Sequence, residues 1–204
     1  MIKIIKSQKE FSNFLLNLKL INGRDCVLLF DFRKFDIKYN SFFSSGKNKL
    51  WEKILKQIYK NKTLDFSRGF YGKPFVIPDI FEFNVSNKDD ILVIGLSASP
   101  IGVDIESLTL PVKYNSSVLG HFFNLKEIAY LKETKYQSEL FGRLWSLKEA
   151  MVKCKGTGLS FIPESDVLLT KQGLKLSDGY RARSFIYENY IISVIIRSSI
   201  NNEN

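Results

Sequence analysis

The chain has 204 residues and a formal net charge of +9, with 45% hydrophobic and 25% charged residues. This length suits one large domain or two small ones, whose cores need no disulfide or metal to hold them together. The two cysteines, Cys26 and Cys154, have no metal-like spacing, and a single histidine, His121, argues against a His-based metal site or a Ser-His-Asp triad.

Strands and one helix are predicted in the first half of the chain. The apolar run Asp25–Phe32 favours a strand, and Lys47–Tyr59 places four apolar residues on one helical face. Gly69–Pro78 is rich in turn residues, which predicts a loop. Three more strands are predicted after that loop, at Phe81–Ser86, Ile91–Leu96 and Ile101–Glu106.

Two helices and three strands are predicted in the second half. The helices span Asn124–Glu133 and Ser138–Lys155, and Gly156 is typical of the residue that follows a helix C-terminus. Glu188 and Asn189 favour a hairpin turn. The strands are predicted at Val167–Thr170, Tyr180–Tyr187 and Tyr190–Arg197.

This mixture of elements predicts an α+β fold, with a break near Ser97–Pro100 that separates the halves 1–97 and 98–204. Lys and Glu interrupt the first 20 residues, and no apolar run approaches the roughly 20 residues of a membrane span. We therefore expect a cytoplasmic protein without a signal peptide, a membrane span or disulfides. His121, which precedes two Phe residues, is interpreted as a packing or surface residue.

The positive charge favours anionic partners, among them nucleic acid, phosphorylated small molecules and acidic proteins. A basic nucleic-acid-binding protein would show Lys and Arg clustered with aromatic residues. The lysines here are scattered, so no nucleic-acid partner is predicted. The sequence also lacks GxxxxGK[ST] and GxGxxG, which argues against an ordinary P-loop NTPase and a Rossmann dehydrogenase.

The segment 102–106, GVDIE, is the first with the residues for chemistry. On a strand, Asp104 and Glu106 share one face while Val103 and Ile105 share the other. Two neighbouring carboxylates suit a hard cation such as Mg²⁺. The alternative is a half-exposed strand with a polar outer face, and this segment alone favours that alternative.

The segment 145–153, WSLKEAMVK, is the second segment with residues suited to chemistry. Residues four apart lie above one another on a helix, so Trp145, Glu149 and Lys153 form one stripe. The alternative is an ordinary surface pair of Glu149 with Lys153 beside a core Trp145, and this segment alone favours that alternative. Together, however, the two segments supply three carboxylates and two lysines, a set that suits phosphoryl chemistry.

These two segments resemble motifs of the 4′-phosphopantetheinyl transferases of the type that activates surfactin synthetase. GVDIE (102–106) and WSLKEAMVKCKGTGL (145–159) occur in the family's order and spacing. Three shorter segments resemble its GKP, FNxSH and FFSxxE motifs: Gly72-Lys73-Pro74, Phe83-Asn84-Val85-Ser86-Asn87 and Phe122-Phe123-Asn124-Leu125-Lys126-Glu127. The resemblance runs from about Tyr71 to Leu159 and implies two similar α+β halves, related by a pseudo-twofold, with the active site between them.

The resemblance implies roles for individual residues. Asp104, Glu106 and Glu149 would bind Mg²⁺, which would bridge the pyrophosphate of coenzyme A. Lys153 would stabilise that pyrophosphate and the leaving 3′,5′-ADP, and Glu149 or a metal-bound water would deprotonate a serine of the carrier protein. Glu127 matches a family acid and is assigned to the catalytic group.

The resemblance also implies a nucleotide site and a partner. Lys73 and Ser86 would contact the nucleotide, especially its 3′-phosphate, and Lys148 would add positive charge nearby. Asn87 stands where the family has a histidine, so it can donate a hydrogen bond to phosphate but carries no charge. We expect a monomer that acts with coenzyme A on an acidic acyl or peptidyl carrier protein; the alternative is a non-catalytic or altered relative that binds coenzyme A or a carrier.

Overall fold

The computed structural model describes residues 1–17, 25–35, 49–60, 63–109, 112, 117–158 and 167–198. Its contacts divide the chain into two units, Met1–Ala98 and Ser99–Asn204. Both units combine helices with strands, so the predicted α+β class is confirmed. That the halves 1–97 and 98–204 are separate domains around a shared site stays a prediction.

In chain order, the described elements of the first unit are β1 (Ile2–Ile5), α1 (Gln8–Leu16), β2 (Cys26–Asp31), a 3₁₀ turn (Phe32–Lys34), α2 (Leu50–Ile58), β3 (Asp65–Arg68), β4 (Pro74–Ile77), β5 (Glu82–Lys88) and β6 (Ile91–Ser97). They include a four-stranded sheet in the order β1–β2–β6–β5, with β1 parallel to β2 and the other neighbours antiparallel. Strands β3 and β4 form a two-stranded hairpin.

In the first unit, the predicted elements are confirmed where the pattern of apolar residues extends over many positions. Strands β2, β5 and β6 and helix α2 are confirmed, and the apolar face of α2 packs into the core, where Trp51 meets the ring of Phe66 edge-on at 5.1 Å. The prediction of a loop throughout Gly69–Pro78 is wrong at its end, because Pro74–Ile77 forms β4. The four residues of β4 give too short an alternating pattern of side chains to outweigh the turn signal of two glycines and two prolines.

The described elements of the second unit are β7 (Ile101–Ser107), α3 (Ser117–Phe122), α4 (Leu125–Glu133), α5 (Gln137–Lys155), β8 (Val167–Thr170), β9 (Gly173–Leu176), β10 (Tyr180–Tyr187) and β11 (Tyr190–Arg197). They include a three-stranded antiparallel sheet in the order β10–β11–β7 and a separate β8–β9 hairpin. The predicted helices and strands are confirmed.

Local residues explain where helix α4 begins and where helix α5 ends. Asn124 caps α4: its side chain accepts a hydrogen bond from Lys126 N, while Glu127 bonds back to Asn124 N. Gly156 ends α5 in the left-handed region, with φ of 71°. None of the helices in the described ranges has the length and apolar character to cross a membrane.

Candidate active site

Helix α5 lies against the face of β7 that carries Asp104, and Gly102 makes this packing possible. A Cβ atom added at Gly102 would lie 1.9 Å from the carbonyl oxygen of Ala150 and 2.4 Å from the backbone nitrogen of Cys154. Any larger residue would therefore push the helix away from the strand. A glycine inside a strand is a sequence signal for such a close backbone approach, and it went unused in the sequence analysis.

The close packing brings the two predicted motifs together around one ammonium group. Lys153 Nζ lies 2.5 Å from Asp104 Oδ1 and 3.3 Å from Glu149 Oε2. The side chain of Asp104 is 3% exposed, that of Glu149 17% and that of Lys153 29%. The half-exposed strand and the simple surface pair are both excluded, because Asp104 is buried beneath the helix and joins the pair as a third member.

Burial and neighbouring charges shift the ionisation of this cluster. Burial raises the pKa of Glu149, and the charges of Asp104 and Glu106 raise it further, against the opposing effect of Lys153. Burial alone would lower the pKa of Lys153, but the charges and hydrogen bonds of Asp104 and Glu149 outweigh it, so this pKa is raised. The cluster thus holds a firmly protonated lysine beside a carboxylate with increased proton affinity.

A row of polar side chains crosses the sheet at the level of Asp104. Asp104 is opposite Ser193 on β11, and Ser193 is opposite Ser184 on β10. Ser193 Oγ lies 3.2 Å from Ser184 Oγ, which accepts a hydrogen bond of 3.0 Å from Arg143 of α5. The row was not predicted, although the one serine within the apolar run YIISVIIR is a sequence signal for a polar group at this level of the sheet.

Glu127 and Lys148 are paired with each other in the interior of the second unit. Both side chains are 0% exposed, and Lys148 Nζ lies 3.1 Å from Glu127 Oε2. The nucleotide contact predicted for Lys148 is therefore not supported, since its ammonium group does not reach the surface. The catalytic role predicted for Glu127 meets the same obstacle.

The three predicted nucleotide residues of the first unit do not share one face. Lys73 lies just before β4 and its Nζ is 3.4 Å from Glu82 Oε2. On β5, Ser86 shares a face with Glu82, whereas Asn87 shares the opposite face with the core residue Phe83. The alternation rule could have separated Ser86 from Asn87 in the sequence.

Asn87 lines a cavity within the first unit. The cavity has a volume of about 220 Å³ and combines aromatic, acidic and amide side chains. Its lining includes Phe32, Trp51, Arg68, Asp89 and Asp90. Asn87 therefore has polar and apolar neighbours of its own, distinct from the Lys73–Glu82 pair.

The donor set around Asp104 fits magnesium by its chemistry. Within the part of the chain that the structure describes, no three His, Cys, Asp or Glu side chains are arranged to enclose a metal ion. Mg²⁺ does not require such a cage, because proteins commonly hold it through one or two carboxylates together with water and substrate phosphates. Asp104, Glu106 and Glu149 supply carboxylates whose charges act on one another.

Comparison with known proteins supports the resemblance found in the motifs. A family model described as the 4′-phosphopantetheinyl transferase superfamily matches residues 100–194. This segment contains Asp104, Glu149 and Lys153. The predicted resemblance is therefore confirmed.

Curated relatives match about half of the chain. The 4′-phosphopantetheinyl transferase gsp of Aneurinibacillus migulanus is 33% identical over 113 residues, covering 54% of this chain and 46% of that protein. The 4′-phosphopantetheinyl transferase Sfp of Bacillus subtilis (strain 168) is 37% identical over 112 residues, covering 52% and 48%. An L-aminoadipate-semialdehyde dehydrogenase-phosphopantetheinyl transferase of Xenopus laevis is 34% identical over 130 residues, covering 54% and 38%. The chain spans about half the length of the relatives it matches.

Proposed function

We propose that the protein belongs to the 4′-phosphopantetheinyl transferase superfamily, whose family model matches residues 100–194, and that it transfers 4′-phosphopantetheine from coenzyme A to a serine of a carrier protein. The observation that carries the proposal is the contact of Lys153 with both Asp104 and Glu149. This contact places two carboxylates beside a cation at a partly exposed site. Transfer from a pyrophosphate needs such a cation to stabilise the negative charge that develops on the phosphate oxygens.

Asp104, Glu106 and Glu149 are the residues that would hold Mg²⁺. When bound there, the ion would neutralise negative charge on the pyrophosphate of coenzyme A. The row through Ser193 and Ser184 to Arg143 joins β11 and β10 to α5 at the level of Asp104.

Lys153 would act on the leaving group. The serine oxygen forms a bond to the β-phosphorus of coenzyme A while the bond from that phosphorus to the bridging oxygen breaks, which releases 3′,5′-ADP. Negative charge grows on the departing oxygen, and the ammonium group of Lys153 would stabilise it. The raised pKa of Lys153 favours the charged form of this group.

Glu149 is the proposed acceptor of the serine proton. A general base works best when its pKa lies close to the working pH, and burial moves the pKa of Glu149 upward, in that direction. Its side chain is partly exposed, so that an incoming serine can approach it. The proton would thus leave the serine oxygen as the bond to phosphorus forms.

For the nucleotide we propose contacts from Lys73 and Ser86, with Asn87 on the opposite face of β5. Asn87 offers a neutral amide at the position where the family pattern has histidine. A charged histidine makes a hydrogen bond to phosphate roughly twice as strong as a neutral one. The partner is proposed to be an acidic acyl or peptidyl carrier, since the chain carries a net charge of +9.

The test is incubation of the protein with coenzyme A and Mg²⁺ against a panel of apo carrier proteins from fatty acid, polyketide and nonribosomal peptide synthesis. Mass spectrometry should show a gain of one phosphopantetheine on at least one carrier, and the gain should disappear with EDTA and return with excess Mg²⁺. Binding of coenzyme A without any mass gain on the whole panel would favour the non-catalytic relative instead.

A further inference from the structure

We propose that Glu127 and Lys148 are positioning residues: their buried ion pair fixes helix α5, and with it Glu149 and Lys153, and neither residue takes part in the transfer chemistry. The inference rests on the proposed function, because it concerns how the proposed active site is held. It reassigns two residues that the sequence places among the catalytic and nucleotide-binding groups.

The ammonium group of Lys148 is fully occupied within the protein. Besides the contact with Glu127, it donates a hydrogen bond of 3.0 Å to the carbonyl oxygen of Val167 on β8. It also lies over the ring of Phe123, 5.5 Å from the ring centre. An ammonium group has three N–H donors and no acceptor, so these three partners account for its capacity.

The carboxylate of Glu127 is equally occupied. One oxygen accepts from the backbone nitrogen of Asn124 at 3.0 Å and meets Lys148, while the other accepts from the backbone nitrogen of Leu169 at 3.2 Å. Three of the roughly four acceptor positions of this carboxylate are thus used within the protein. A general base would need a reacting group within hydrogen-bond reach, and the side chain is 0% exposed.

The pair connects three elements of the second unit. Glu127 belongs to the first turn of α4, Lys148 to α5, and the backbone groups of Val167 and Leu169 to β8. On its other side, α5 is held against β7 at Gly102. Two fixed sides prevent α5 from turning about its axis, so the residue after Lys148, Glu149, keeps its direction.

Loss of one partner should therefore disturb the site at a distance. Substitution of one member of the pair by an uncharged residue would leave the charge of the other member buried without a partner. The protein could expose or neutralise that charge only by moving α4 or α5. Misplacement of catalytic groups by about 1 Å lowers rates by about 10²-fold. Removal of both charges at once leaves a neutral interior that can remain packed.

The experiment compares Lys148→Met, Glu127→Gln and the double variant, each by turnover with a carrier protein and by thermal unfolding. We expect Lys148→Met to lower kcat by about 10²-fold with little change in KM for coenzyme A. The double variant should recover to within about tenfold of the wild type, because no lone charge remains. Lys132→Met, on the exposed side of α4, is the matched control and should behave as wild type.

A second readout separates positioning from chemistry. If Glu127 only positions α5, Glu127→Gln keeps the pH profile of kcat found for the wild type. Loss of one limb of that profile would show that Glu127 titrates during the reaction and would overturn the proposal. A double variant no more active than Lys148→Met, whether folded or not, would overturn it as well.

Failure of this proposal can be told apart from failure of the proposed function. If the wild-type protein modifies no carrier, the proposed function is wrong, but the unfolding temperatures still test the pair without any substrate. We then expect both single variants to melt below the double variant. Single variants that melt at or above the double variant would show that the two charges are not coupled.

Discussion

The second unit contains two acid–lysine groups that share helix α5 and differ in almost every physical respect. Lys153 is 29% exposed and contacts two carboxylates, whereas Lys148 is 0% exposed and contacts one. Lys148 and Glu127 also bond to three backbone groups, at Asn124, Val167 and Leu169. The contrast shows that charge type and sequence proximity do not assign chemistry; access to a ligand does.

The same contrast explains how the two groups should respond to substitution. Breaking a fully buried ion pair typically costs about 3–5 kcal/mol of stability, because an uncompensated charge stays inside. Lys153 borders solvent, so its loss should affect the reaction more than the fold. The following predictions test that division.

A large loss of turnover is expected for Lys153→Met. We expect kcat and kcat/KM to fall together by about 10²–10³-fold, because the stabilisation of the leaving group is lost in the transition state. Steady-state transfer kinetics would measure this, with Lys132→Met as a matched Lys-to-Met control. A change confined to KM would mean that Lys153 helps only to bind coenzyme A.

Gly102→Ala should have an intermediate effect. The new methyl group would meet the carbonyl oxygen of Ala150 at 1.9 Å, so α5 must move away from Asp104. Overpacking of this kind costs about 1–3 kcal/mol, and we expect both the urea midpoint and kcat to fall.

Gly120→Ala is the control for that substitution. Gly120 lies in helix α3, and an added Cβ there meets nothing within 4 Å. Alanine should raise the unfolding free energy by about 0.5–1 kcal/mol there, because it is the better helix former. If Gly102→Ala were as stable and active as Gly120→Ala, the close packing of α5 on β7 would not be what orients the site.

The smallest expected effect is a pH-dependent gain of stability in Glu149→Gln without metal. The pKa of Glu149 is raised in the folded protein, so the folded state holds this proton more tightly than the unfolded chain. The contribution of Glu149 to the free energy of unfolding is therefore present at low pH and is lost as the pH rises through the raised pKa. Glutamine does not titrate, so Glu149→Gln removes that loss.

Thermal unfolding with EDTA would measure this gain. The variant should melt higher than the wild type at neutral pH, by on the order of 1–3 °C, and the difference should shrink as the pH is lowered. A constant difference across the pH range would show that Glu149 does not titrate in this way. The same variant should have lost transfer activity.

Local periodicity accounts for what the sequence predicted well. The alternation in GVDIE places Asp104 on one face of a strand, and the four-residue spacing places Glu149 and Lys153 on one stripe of a helix. Both rules depend only on neighbouring residues. Their meeting point could be predicted because the family resemblance supplied the pairing of the two segments.

Burial and long-range pairing account for what the sequence did not show. Lys148 precedes Glu149, which suggested a shared site, yet its partner Glu127 lies 21 residues away and both are enclosed. Whether a charge is buried depends on which elements cover it, and no local pattern records that. Ser86 and Asn87 differ in another way, because strand alternation alone would have placed them on opposite faces.

The most direct test of this division is one comparison of transfer rates between Asp104→Asn and the Glu127→Gln/Lys148→Met double variant. Asp178→Asn, in an exposed turn of the same unit, serves as the control for the first substitution. We predict that Asp104→Asn gives no carrier modification above background in mass spectrometry, while the double variant stays within about tenfold of the wild type. Full activity of Asp104→Asn, or none in a folded double variant, would contradict it.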